Sequence, residues 1–155
     1  MELDWSSYLA PRTAGMQSSA IREILKLTRQ PGVISFAGGL PASEFFPLEE
    51  IEAACCAIIR QDGAQALQYT VTEGHPPLKA YLAAKMSEHG APVAPENILV
   101  VNGSQQGLDL IGKLFIDAGD TVIVSRPTYL GAIQAWNAYE ARYQTVSLDD
   151  DGMIV

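Results

Sequence analysis

The segment of this chain best equipped for chemistry is Asn102-Gly103-Ser104-Gln105-Gln106-Gly107. It sits where an apolar run, Asn97-Ile98-Leu99-Val100-Val101, gives way to helical periodicity. In an open α/β sheet, ligands bind at the carboxyl ends of strands, and the free N–H groups of a helix N-terminus attract phosphate. Gly103 permits close backbone approach, and Ser104 brings a hydroxyl beside those N–H groups. Read alone, the segment is better taken as an ordinary helix start with Ser104 as its N-cap. It is neither a Walker P-loop nor a G-x-G-x-x-G fingerprint, which points away from ATP and NAD. Other reactive side chains offer little by their spacing. Cys55 and Cys56 are adjacent, whereas metal-binding pairs leave about two to four residues between ligands. His75 and His89 have no partner spacing that suggests a metal or a triad, so no metal site is expected. Trp5 and Trp136 read as packing residues.

The elements that must position this segment alternate. Ahead of it, apolar spacing predicts a helix over residues 16–29, with Ile21, Ile24 and Leu25 on one stripe and Arg22 off it. Val33-Ile34-Ser35-Phe36 is a short strand candidate, followed by the turn Ala37-Gly38-Gly39-Leu40-Pro41. Helices are expected over 47–60 and 77–89, the second stopped by Gly90, with an irregular stretch at 66–74 between them. From residue 97 the pattern becomes strand (97–101), helix (104–117), strand (120–124), helix (129–139) and strand (141–148). That order predicts an α/β, doubly wound, mostly parallel sheet. Asp149-Asp150-Asp151-Gly152 reads as a turn, and Met153-Ile154-Val155 opens another apolar stretch. Three strands and two helices leave sheet edges and faces uncovered, so the sheet is expected to be incomplete and to expose apolar surface. Residues 1–32 are expected to form a helical segment and 33–155 the first part of a larger domain.

Composition narrows the partners. The chain of 155 residues is 48% hydrophobic and 18% charged, a globular balance. Its net charge of −8, from 18 acidic against 10 basic residues, disfavours a nucleic-acid backbone as partner. The start, Met1-Glu2-Leu3-Asp4-Trp5, carries acid where a signal peptide needs basic residues, and no apolar run approaches the roughly 18 residues of a membrane span. A soluble, cytoplasmic protein is expected.

Four segments in order carry a family resemblance: Ile34-Ser35-Phe36-Ala37-Gly38-Gly39-Leu40-Pro41, Leu67-Gln68-Tyr69 with Thr72-Glu73-Gly74, the Asn102–Gly107 loop, and Ser125-Arg126-Pro127-Thr128-Tyr129. Together they resemble the class I/II, fold-type I, pyridoxal-phosphate-dependent aminotransferases. The early Ser19-Ala20-Ile21-Arg22-Glu23 is similar to the 2-aminoadipate and kynurenine aminotransferase branch. The resemblance covers nearly the whole chain and implies the N-terminal part of such an enzyme's large domain, acting as a homodimer with pyridoxal 5′-phosphate. It implies transamination between an amino acid (2-aminoadipate, kynurenine, an aromatic or similar) and a 2-oxo acid such as 2-oxoglutarate. Ser104 and Gln105 would hold the cofactor phosphate by hydroxyl and backbone N–H groups, with Gly103 allowing close approach. Tyr129 would stack on the pyridine ring, and Tyr69 would donate to the phosphate of the neighbouring subunit. Gly39 would lie against the substrate α-carboxylate, and Arg22 would face a distal carboxylate.

Each residue also has a plainer reading. Tyr129 suits a core aromatic, Tyr69 a surface tyrosine, Gly39 a positive-φ turn, and Arg22 a solvated helix position. The lysines present are Lys26, Lys79, Lys85 and Lys113, and none stands in the serine-rich context of the family's Schiff-base lysine. That lysine is expected beyond Val155, so this chain alone is expected to be inactive, with no catalytic residue of its own. Alternatives are the aminotransferase-like domain of a regulator, a non-catalytic phosphate-binding α/β module, or another reaction of the same cofactor, β-elimination or decarboxylation.

Overall fold

The computed structural model describes residues 4–16, 24, 32–36 and 39–154. The helix expected over 16–29, with Arg22, lies outside them apart from Met16 and Ile24. Two compact units make up the chain, Ile34–Val100 in one and Met1–Val33 with Val101–Val155 in the other.

In the Ile34–Val100 unit, helix α1 (Leu48–Ala66) follows Pro47 and carries Glu49 and Glu50 in its first turn, where the helix dipole favours acid. It runs past the expected end at Arg60 because Gln61 and residues 64–66 are good helix formers. Only Asp62, at φ −148° and ψ 30°, leaves helical geometry and kinks it. Helix α2 (Pro76–Glu88) starts on two prolines, where a missing N–H costs nothing. It stops where Gly90 takes φ +80° and the Ala91 N–H donates to the Met86 carbonyl at 2.9 Å. His89 packs against this end, its Nδ1 2.8 Å from the Lys85 carbonyl.

Two expected strands are not strands. Val33-Ile34-Ser35-Phe36 takes no place in a sheet of the described residues, and Ile34 and Phe36 lie exposed. Asn97-Ile98-Leu99-Val100-Val101 begins as the end of a 3-10 turn (Pro95–Asn97) and then extends. The Val100 N–H donates to the Glu73 carbonyl at 3.2 Å, in a loop rather than a neighbouring strand. An extended apolar run becomes a strand only beside a ladder partner, and no described residue supplies one.

In the other unit, helix α3 (Gly103–Phe115) is followed by strand β1 (Thr121–Arg126), helix α4 (Leu130–Trp136), strand β2 (Arg142–Asp149) and the short β3 (Gly152–Met153). β1 and β2 pair in parallel from Thr121 opposite Arg142 to Arg126 opposite Ser147, as expected of a β-α-β crossover. β3 returns antiparallel, with Leu148 opposite Met153. The turn between them is set by Asp149, whose Oδ1 accepts from the N–H groups of Asp151 (2.9 Å) and Gly152 (3.1 Å). Val124 of β1 and Ala132 and Ala135 of α4 are buried, whereas Ile111, Leu114 and Phe115 of α3 remain exposed. Among the described residues no helix is long and apolar enough to cross a membrane.

α3 and α4 meet at a glycine. A Cβ on Gly112 would stand 2.8 Å from Cδ1 of Trp136 and 2.8 Å from Cδ2 of Tyr139. Both rings are held in place, since Trp136 Nε1 donates to the Leu108 carbonyl (3.0 Å) and the Tyr139 hydroxyl to Asp109 Oδ1 (2.9 Å). Gly112→Ala is therefore expected to destabilise this unit. Overpacking costs about 1–3 kcal/mol, and replacing a helix-interior glycine recovers about 1 kcal/mol. Urea unfolding checks the sign, and a stabilised variant would mean that the rings yield freely.

Tyr143 adds a pH dependence. Its hydroxyl proton is shared between Asn137 Oδ1 (2.9 Å) and the Ile133 carbonyl (3.2 Å), and burial raises its pKa above the ordinary 10.0. Above that ordinary value the unfolded chain loses the proton while the folded chain keeps it. Stability from this group is thus intact below about pH 10 and falls as pH rises towards the folded pKa. Tyrosinate absorbance followed alongside unfolding should show Tyr143→Phe flattening the alkaline loss.

Candidate cofactor-phosphate site

The candidate site forms at the start of α3. Gly103 opens the helix at φ +78°, with empty space where a Cβ would stand. The cap position is Asn102, not Ser104, and no side chain caps the helix. The plain reading of Ser104 as N-cap is thus corrected: Gly103, free to take positive φ, already belongs to the helix, and Ser104 falls in its first turn. Gln106 Oε1 accepts the Asn102 N–H at 2.6 Å, and the Gly103 N–H donates to the Val101 carbonyl at 2.9 Å. Among the described residues nothing takes the N–H groups of Ser104 and Gln105, which carry the positive end of a 13-residue helix.

Tyr129 stands just before α4, where β1 ends. Ser125 Oγ closes the intervening loop by donating to the Pro127 carbonyl at 2.8 Å. Tyr129 is 60% exposed, so it is not the core aromatic of the plainer reading. Its ring lies close to Gly131, where a Cβ would come 2.6 Å from Cε1 and Cζ. The Gln105 side chain reaches the same place, its Nε2 donating to the Gly131 carbonyl at 3.2 Å. Gly103, Ser104, Gln105 and Tyr129 therefore come together within one unit.

Tyr69 and Gly39 belong to the other unit. Tyr69 is 99% exposed and borders an open cleft of about 690 Å³ with Asp62, Gln65, Thr70 and His75. Gly39 has φ +60° and open space around it. Arg22 lies outside the described residues. No group of three or more His, Cys, Asp or Glu among the described residues could hold a metal. Reading the sequence missed Gly131. A glycine inside the Leu-Gly-Ala helix start was the available signal, since it gives up helix propensity for a close approach. Open N–H groups and a serine hydroxyl at one helix start, linked through the Gln105 side chain to Gly131 beneath an exposed ring, suit a ligand with a phosphate and a flat ring.

Fold and helix N-terminus define the class first, an α/β unit with an open, phosphate-type helix start, and its likeness to solved aminotransferases makes it part of a fold-type I domain. The model of aminotransferase class I and II matches residues 39–153, and the chain belongs to that family. It is 47% identical to the 2-aminoadipate transaminase of Thermus thermophilus over 97% of this chain and 36% of that protein. It is 46% identical to the aromatic-amino-acid aminotransferase 1 of Thermococcus litoralis, over 99% of this chain and 37% of that one. Among solved structures, the α-aminoadipate aminotransferase of Thermus thermophilus, complexed with N-(5′-phosphopyridoxyl)-L-leucine, superposes with a TM-score of 0.85 at 44% identity. That match covers 98% of this chain and 36% of the other. The chain thus spans a little over a third of the length of these relatives.

Proposed function

We propose that the protein carrying this chain transaminates an amino acid of the 2-aminoadipate, kynurenine or aromatic type against a 2-oxo acid such as 2-oxoglutarate, with pyridoxal 5′-phosphate as cofactor. The observation that carries this is the uncapped start of α3 beside the exposed Tyr129 ring, both tied to Gly131. In this reading Ser104 gives its hydroxyl and N–H to the phosphate. Gln105 gives only its N–H, because its side chain is engaged by Gly131. Gly103 clears space for the phosphate oxygens. Tyr129 holds the flat ring by its exposed face. When bound, the cofactor supplies an electron sink for the substrate's α-carbon.

The remaining assignments rest on the family pattern. Tyr69, with its hydroxyl free of any core, reaches the phosphate of a second subunit in a homodimer. Gly39 leaves room for the α-carboxylate, and Arg22 pairs with a distal one. The general base of this reading is a lysine in the serine-rich context of the family pattern, in which none of Lys26, Lys79, Lys85 and Lys113 stands. The acidic balance and the shortness of the apolar runs support a cytoplasmic protein with no nucleic-acid or membrane partner.

The test is to load the protein with pyridoxal 5′-phosphate and offer 2-aminoadipate, kynurenine or phenylalanine with 2-oxoglutarate. Glutamate should form in step with loss of the donor. Release of carbon dioxide from these donors would replace transamination by decarboxylation, and release of chloride, ammonia and pyruvate from β-chloroalanine without an acceptor would replace it by β-elimination.

A further inference from the structure

We propose that Gly131 is the positioning residue of the cradle: it seats the Tyr129 ring and, through the Gln105 side chain, ties that ring to the phosphate-binding turn of α3. This rests on the reading of the site as a pyridoxal-phosphate cradle and adds a residue to it. Gly131 is buried and lies in α4, outside the positive-φ positions, so its backbone would accept alanine. As a helix residue alanine would be favoured there. Only space forbids it, because a Cβ would stand 2.6 Å from Cε1 and Cζ of Tyr129 and 2.7 Å from its hydroxyl oxygen. Those are ring atoms, not the end of a flexible chain, so the whole ring must swing to make room. Meanwhile the Gly131 carbonyl accepts from Gln105 Nε2 at 3.2 Å. Gln105 is two residues inside α3, in the turn whose N–H groups are open. One small residue therefore fixes two parts of the site against each other, the flat-ring platform and the anion-binding turn. A site that holds a phosphate and a ring joined by a short rigid link needs that spacing held to a fraction of an ångström.

A merely structural glycine and a positioning one differ in what Gly131→Ala does. The measurements are the dissociation constant for pyridoxal 5′-phosphate and the induced circular dichroism of the bound cofactor, in the whole protein, for Gly131→Ala, Tyr129→Ala and the double variant. Gly131→Ala is expected to weaken binding about tenfold, which is about 1.4 kcal/mol, and to change the sign or halve the amplitude of the dichroic band. Added to Tyr129→Ala it should cost less than about twofold, because the ring it displaces is gone. Gln105→Leu, which keeps the backbone N–H, should alter the dichroic band in the same direction. Equal losses from Gly131→Ala with and without the Tyr129 ring, or wild-type binding and dichroism, would overturn the proposal. If the unsubstituted protein takes up no cofactor, the functional reading fails. The seat of the ring is then judged separately, from the ring-current shift of the Gly131 Hα protons in the cofactor-free protein. A shift abolished by Tyr129→Ala supports the seat, and an unshifted Gly131 removes it.

Discussion

Replacing Gly74 by alanine is expected to cost about 3 kcal/mol or more and to disorder the segment that carries Tyr69. Two penalties add at this residue. Its φ is +105°, a region in which a residue with a Cβ pays roughly 1–3 kcal/mol. A Cβ there would also come 2.5 Å from Cγ2 and 2.6 Å from Cβ of Val100. Cβ of Val100 cannot rotate away, so the contact is relieved only by moving one backbone from the other, an overpacking cost of about 1–3 kcal/mol. The neighbouring bond from the Val100 N–H to the Glu73 carbonyl, 3.2 Å, depends on that approach and should weaken with it. Urea unfolding would read the loss, and the pair Gly74→Ala with Val100→Ala separates its parts. Trimming Val100 should return the packing share and leave the φ share. A Gly74→Ala variant within about 0.5 kcal/mol of the parent would sink this account of the turn.

The same turn shows what the residues disclosed in advance and what they did not. Thr72-Glu73-Gly74 reads as an irregular stretch between two helices, and so it is, because glycine and the absence of periodicity are local signals. What holds the stretch is not local: Val100 lies 26 residues on and announces only that it is apolar. The β1–α4–β2 crossover was readable for the opposite reason. Strand runs at Thr121–Arg126 and Arg142–Asp149 flank a helical pattern of the right length, and each run finds its partner inside the chain. Residues 97–101 have the same apolar character and form no strand, since apolarity names a buried position while a ladder needs a neighbour. At the candidate site, Gly103 and Ser104 drew attention by their types where an apolar run gives way to a helix. Gly131 was not, because its importance lies in a ring folded back from Tyr129 and in an amide from Gln105, 26 residues earlier.

Ser104→Asp should move cofactor affinity and stability in opposite directions. The substitution puts a carboxylate in the first turn of α3, where the open N–H groups and the helix dipole favour negative charge by about 0.3–1 kcal/mol. The folded protein without cofactor should therefore melt no lower than the parent, and slightly higher at low salt. Phosphate at the same turn would meet that carboxylate in place of a hydroxyl. Like charges about 4 Å apart repel by about 4 kcal/mol at an effective dielectric near 20, which corresponds to roughly a thousandfold loss of affinity. Ser104→Ala removes a single hydrogen bond and should cost only about tenfold. Were Ser104 a structural helix residue with no ligand, neither variant would change pyridoxal 5′-phosphate binding, and Asp would show its small gain in stability alone. Were it a cap essential to the fold, Ala and Asp would diverge in melting temperature instead, with Ala the less stable. Titration of the cofactor by its absorbance, set beside thermal unfolding of the cofactor-free protein, separates the three cases. Only the anion-binding role predicts a large loss of affinity with the fold intact, because only there does the helix end favour a negative charge that the ligand must itself supply.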